Sequence, residues 1–156
     1  MLARLSSSVV LSAIAVALLL PASASAALFM RIATIQGESM NPRHLGWIEL
    51  RTFKRSRDEI DVTKALDKSS VDLEAAYAGH SRLGSALFDE TCPNGASHMT
   101  ITLIDPVVAR FSTDSVGGEG PLDVLALKYR TISVNYGKPC AGPVPLPPGA
   151  TPPHNH

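Results

Sequence analysis

The chain has 156 residues, with 14 Lys and Arg against 14 Asp and Glu, a formal net charge of +0, 45% hydrophobic residues and 5% aromatic. That length suits one small domain whose core is large enough to fold without cross-links. Zero net charge excludes a nucleic-acid binder, whose phosphate contacts need a basic excess, and it implies no strongly charged partner.

The first 26 residues hold 18 of the hydrophobic ones. Arg4 supplies a positive start, Val9 to Leu20 is an apolar segment of 12, Pro21 breaks it, and Ala24-Ser25-Ala26 offers the small residues a signal peptidase accepts. The segment predicts a signal peptide over 1–26, cleaved before Ala27. A membrane anchor would need about 20 apolar residues, so no membrane association is expected after cleavage, and the location is secreted or periplasmic.

Period-two alternation then dominates. Leu28, Met30 and Ile32 alternate with Phe29, Arg31 and Ala33, Ile48 and Leu50 flank Glu49, and Met99, Ile101 and Leu103 alternate with Thr100 and Thr102, all as strands do. Asn41-Pro42, Pro93-Asn94-Gly95 and the Gly-rich run from Val116 to Pro121 read as turns. Between the strands, Asp67-Lys68-Ser69-Ser70 followed by Val71 to Ala78 predicts a three-turn helix. A Ser cap with Asp72 opens it, Gly79 closes it, and Leu73, Ala76 and Tyr77 form its apolar stripe. A last strand from Leu125 to Tyr136 changes phase between Tyr129 and Ile132, which predicts a bulge or bend.

In this order the residues carry a resemblance. Phe29-Met30-Arg31-Ile32 to Ile35, Gly37-Glu38-Ser39, His44 and Ile48-Glu49-Leu50 resemble the opening strand, Gly-Glu-Ser turn, histidine and second strand of the hemolysin-coregulated protein (Hcp) family of type VI secretion. Val62-Thr63-Lys64 with Leu66 to Ser70 resembles its strand-to-helix junction, and Gly117-Gly118-Glu119 with Leu125 to Tyr136 its Gly-rich hairpin and final strand.

The resemblance implies a mainly β fold, a small antiparallel β-barrel with one flanking α-helix, spanning 27–138. It also implies a structural ring or tube subunit, a conduit or effector carrier whose partners are copies of itself in a hexameric ring, secretion-machine components or effectors. Two departures follow: family members are ordinarily cytoplasmic before they leave through the machine, and the long loop after the second strand is reduced here to Lys54 to Glu59. A monomeric secreted binding module that kept the barrel and lost assembly is the alternative.

The chemistry-bearing residues assign no catalytic, cofactor or metal site. Gly37 to Asn41 begins like a nucleophile elbow but lacks its second glycine and its strand-turn-helix setting, so Glu38 and Ser39 are expected to tie down a turn through local hydrogen bonds. His44, His80 and His98 lack metal-site spacing and read as surface or turn histidines. Trp47 is expected in the core. Arg51, Lys54, Arg55 and Arg57, followed by Asp58, Glu59 and Asp61, read as a solvated strand edge.

The two cysteines, Cys92 and Cys140, predict a disulfide if the chain is exported; in the cytosol they would be inert thiols. From Pro139 to His156, 7 of 18 residues are proline, which predicts an extended or flexible tail in which His154 and His156 make an incomplete metal site. Arg130 is read as a ring-facing strand position, and apolar residues on both faces of Leu122 to Tyr136 as surplus surface for a ring interface.

Overall fold

The computed structural model describes residues 26–115 and 120–141. The predicted signal residues 1–25, the Gly-rich run 116–119 and the tail 142–156 lie outside the described residues.

Chain order runs β1 (Ala27–Ile32), β2 (Ile48–Leu50), β3 (Thr52–Arg55), β4 (Glu59–Ala65), α1 (Ser69–Ala78), β5 (Ser85–Thr91), β6 (Ser97–Ile104), β7 (Val107–Ser115), β8 (Pro121–Lys128) and β9 (Thr131–Tyr136). Alternation works as read in most of them: Met30 and Ile32, Ile48 and Leu50, Ile101 and Leu103 are buried, and Arg31 and Glu49 are exposed. Phe29 departs from it. It points away from Met30 yet is buried, because the loop after β1 folds over its ring.

The strands form two antiparallel sheets, ordered β2-β1-β5-β6-β9 and β3-β4-β8-β7, rather than one closed barrel. On one side the sheets are joined at a corner. β2 passes into β3 through Arg51, whose N–H donates to the Thr63 carbonyl of β4 at 2.7 Å. On the other side β7 and β9 are edge strands of different sheets. There the chain changes sheet at Asp105-Pro106 and again at Tyr129-Arg130; Pro106 has no N–H for a ladder and Asp105 has φ +51°, so pairing stops. The phase change in the last predicted strand is therefore not a bulge within one strand. It separates β8 from β9, in different sheets.

Between the sheets lie Met30, Ile32, Ile60, Val62, Leu103 and Leu127, with Leu73 of the helix in the same cluster. Each such side chain contributes roughly 1.5–3 kcal/mol by leaving water.

The helix forms where read, but its caps differ. Lys68 stands at the N-cap position and makes no side-chain capping bond; the Asp67 carboxylate accepts from the Ser69 N–H at 2.9 Å instead. Ser69 and Ser70 are buried within the first turn, because Ser70 is committed to the sheet beneath it. Gly79 has φ −84°, an ordinary right-handed value, and His80 takes the left-handed position at φ +48°. Leu73 and Ala76 are buried, while Tyr77 lies at the rim, 37% exposed.

Candidate functional site: the Gly-Glu-Ser loop and the Lys64 network

The loop from Gln36 to Trp47 is paired with itself. Gly37 N–H donates to the Gly46 carbonyl at 2.9 Å, Ser39 N–H to Trp47 at 3.0 Å, and Gly46 N–H to Ser39 at 2.8 Å. The approach is so close that a Cβ on Gly37 would fall 2.2 Å from the Trp47 carbonyl oxygen, which is why glycine stands there. Ser39 Oγ donates to Glu49 at 2.7 Å and accepts the Asn41 N–H at 3.2 Å, so the serine ties the turn to β2. Glu38 is exposed.

His44 fastens this loop to the five-stranded sheet. Its ring is 4% exposed, stacks parallel on Phe29 at 4.0 Å, and receives the edge of Trp47 at 4.8 Å. Nε2 meets Asp89 Oδ2 at 2.7 Å, and the other Asp89 oxygen accepts from Ser97 Oγ. His44 stands in a turn, one of the two places read for it, but not at the surface: a ring packed between two aromatic side chains, with a carboxylate at its end, belongs to the interior. Trp47 is corrected the other way. It is half-buried, with the Arg31 guanidinium 5.2 Å above its ring.

Ser39 faces Glu49 while His44 faces Asp89 and Asn41, so the two do not form a nucleophile-base pair among the described residues. The three histidines are likewise dispersed, one in this loop, one after the helix and one on β6.

A second buried polar cluster lies at the strand-to-helix junction. Lys64 on β4 is opposite Asp123 on β8, and its ammonium donates at 2.9 Å to Asp123 Oδ2, to Ser70 Oγ and to the Ala65 carbonyl, with Asp67 at 2.8 Å. Thr113 of β7 donates to the other Asp123 oxygen at 2.9 Å. Four elements thus converge on one ion pair. Burial pushes the Asp123 carboxyl up, but hydrogen bonds from Ser70, Lys64 and Thr113, with the Lys64 charge, outweigh it and hold the group below its ordinary value of 3.8.

Asp89 and Asp123 belong to none of the motifs read from the sequence, and Lys64 enters only within the strand-to-helix junction. A signal existed: Lys64 is in phase with Ile60 and Val62, and Asp123 with Leu125 and Leu127, so opposite charges stand on inward rows.

Residues 54–136, from β3 to β9, match the sequence model of the family described as "Type VI secretion system effector, Hcp". The chain belongs to the Hcp family. Solved structures agree on the fold. The chain is similar to the crystal structure of Hcp1 from Salmonella typhimurium, with 22% identity and a TM-score of 0.67 over 72% of this chain and 87% of that one. It is similar also to a type VI secretion system effector from Yersinia pestis, at 17% identity and TM-score 0.65 over 70% and 88%. A third is the secreted protein Hcp3 from Pseudomonas aeruginosa, at 15% identity and TM-score 0.56 over 73% and 98%. No curated protein matches the chain.

Within this Hcp chain the matched span carries the Lys64 network, while Gly37, Glu38, Ser39 and His44 precede it. The loop expected to be short is a tight turn: Ser56, Arg57 and Asp58 join β3 to β4, closed by the Ser56 N–H on the Glu59 carbonyl at 2.8 Å. Two of the charges beside it are also paired. A one-residue shift of register between Val108 and Arg110 turns Arg110 toward Glu59 and Asp61, which it bridges. Arg130 stands in the turn between β8 and β9 rather than on a strand, exposed and 3.6 Å from Asp105. Cys92 and Cys140 are bonded in the structure, with Cα atoms 5.3 Å apart. Ala26 is exposed, Ala27 opens β1, and Ala24 lies outside the described residues. Among the described residues no helix is long and apolar enough to cross a membrane.

Proposed function

We propose that this Hcp chain is exported by a signal peptide removed before Ala27, and that the remaining domain closes into a six-membered ring that acts as conduit or carrier for effectors, without catalysis of its own. The observation that carries the reading is the family match over β3 to β9. The surface supports it: Met40, Leu45, Val71, Ile104 and Tyr136 are large apolar side chains left exposed. A repeated head-to-tail contact would cover such side chains without leaving a growing end. The tight Ser56 to Asp58 turn leaves little chain to reach a neighbouring ring, so single rings are favoured over long tubes.

Export also fits the cysteines. Formed outside the cytosol, the Cys92–Cys140 bond closes a loop with a sequence separation of 48, and it stabilises the fold by about 4 kcal/mol in the chain-entropy model. It also holds the first residues of the tail, 139–156, against the β5–β6 turn.

Light scattering coupled to size exclusion on the secreted protein tests the ring, and intact mass tests the cleavage. A mass six times that of the chain starting at Ala27 is expected. A monodisperse monomer at high concentration would leave the monomeric binding module in its place, and a chain still starting at Met1 in a membrane fraction would remove the export reading.

A further inference from the structure

The β5–β6 turn and the segment after β9 bring a third candidate ligand to the two cysteines. Cys92 Sγ, Cys140 Sγ and a ring nitrogen of His98 all lie within 4.8 Å of one another. We propose that, once the Cys92–Cys140 bond is reduced, these three side chains form a binding site for Zn2+ or a similar thiophilic divalent cation.

The spacing suits a tetrahedral ion. Zn–S and Zn–N bonds of about 2.3 and 2.0–2.1 Å place neighbouring ligand atoms roughly 3.5–3.8 Å apart. The two sulfurs need only swing apart by side-chain rotation, since their Cα atoms are 5.3 Å apart. Cys92 is buried, and His98 and Cys140 are half-buried, so water can supply a fourth ligand.

His98 is prepared for this role in two ways. Register jumps from Glu90 opposite Met99 to Thr91 opposite Ser97, which leaves His98 as the extra residue of a bulge, without a partner on β5. Its Nδ1 lies 3.2 Å from the Lys138 carbonyl oxygen. With the proton on Nδ1 and donated there, the Nε2 lone pair would be free for a cation, the usual outer support of a ligating histidine.

Backbone bonds hold Cys92 and His98 in place without the S–S bond, and they hold the chain as far as Gly137, three residues before Cys140. Cys92 N–H donates to the Ala96 carbonyl at 2.8 Å, and Gly137 N–H to the His98 carbonyl at 2.7 Å. A Cβ on Gly137 would lie 2.6 Å from the Ser97 carbonyl oxygen, so the segment is seated directly on β6.

Reduction takes a dithiol: two electrons and two protons pass to the S–S bond, giving two thiols while the dithiol becomes a disulfide. The cation then displaces one proton from each thiol and binds the two thiolates. One pair of sulfurs cannot be both disulfide and ligands, so cation and oxidant exclude each other here.

The experiment is an anaerobic Co2+ titration of the purified chain, reduced by a phosphine that is then removed, followed by Zn2+ competition. One equivalent of Co2+ with thiolate-to-cobalt charge-transfer absorption is expected in the reduced chain, and none of that absorption in the oxidised chain. His98→Ala, which keeps both cysteines, should weaken Zn2+ binding at least about tenfold. Circular dichroism of each form separates loss of ligand from loss of fold. Cobalt bound without charge-transfer absorption, no binding by the folded reduced chain, or wild-type affinity in His98→Ala would each overturn the site.

Discussion

Lys64 and Asp123 face each other across β4 and β8, joined at 2.9 Å with neither side chain exposed to solvent. The pair holds the helix start to the sheet, since Ser70 and Asp67 bind the same ammonium.

Removing Lys64 strands the Asp123 carboxylate in the interior and takes the partner from Asp67, whereas removing Asp123 leaves Lys64 its bridge to Asp67. Lys64→Met alone should cost roughly 3–5 kcal/mol and Asp123→Leu less, since Asp67 still meets the ammonium, whereas the two together should return part of the Lys64→Met loss, because a buried pair replaced by apolar residues is often near neutral. Urea midpoints of the two single variants and the double variant check this. Single variants within about 1 kcal/mol of wild type would show that the pair is not structurally decisive.

Asp123 also sets an acid limit. Its folded-state value lies below the ordinary 3.8, so the unfolded chain binds the proton more readily. The contribution is complete above the ordinary value and is lost as pH falls through the lower folded value. Thermal unfolding between pH 7 and pH 2 should show a loss below about pH 4 that is shallower in Asp123→Asn. Acid limbs of equal slope would mean that other carboxylates govern it.

Two glycines in one loop make a paired test. Gly37→Ala drives a methyl into the Trp47 carbonyl and should cost about 3 kcal/mol or more, or prevent folding. Gly46→Ala meets nothing within 4 Å but must keep φ +74°, which costs about 1–2 kcal/mol. Chemical denaturation should therefore rank Gly37→Ala well below Gly46→Ala, and the reverse order would contradict the close approach.

His44→Ala removes the ring stacked on Phe29 and one of the two polar partners of Asp89. A loss of about 1–3 kcal/mol is expected from the carboxylate left short of a donor. Asn41, Arg43 and Trp47 should lose amide protection with it, because the loop is fastened to the sheet through this ring. Unchanged hydrogen exchange in residues 37–47 would argue that the loop's own backbone bonds suffice.

Period and punctuation determined much of this protein by themselves. Alternation located β1, β2 and β6, the run from Asp67 to Gly79 located the helix, and the ordered motifs carried the family, because each is a local pattern a few residues long. Gly37 was legible as part of a turn, and the two cysteines as a pair.

What the sequence left open depends on which distant residues meet. That Leu125 to Tyr136 is two strands in two sheets was decided by pairing with β4 and β6, not by its own residues. His44 became an interior residue only because Phe29, Trp47 and Asp89 surround it. Asp67 does the capping because it lies within reach of both the N–H and the hydroxyl of Ser69, and His98 joined the cysteines because a bulge and the Gly137 contact bring residues 92, 98 and 140 together. Hydrophobic period specifies which face of a segment turns inward; polar partners are chosen only when segments far apart in sequence dock, since a buried charge or donor accepts whatever complementary group the docked fold presents.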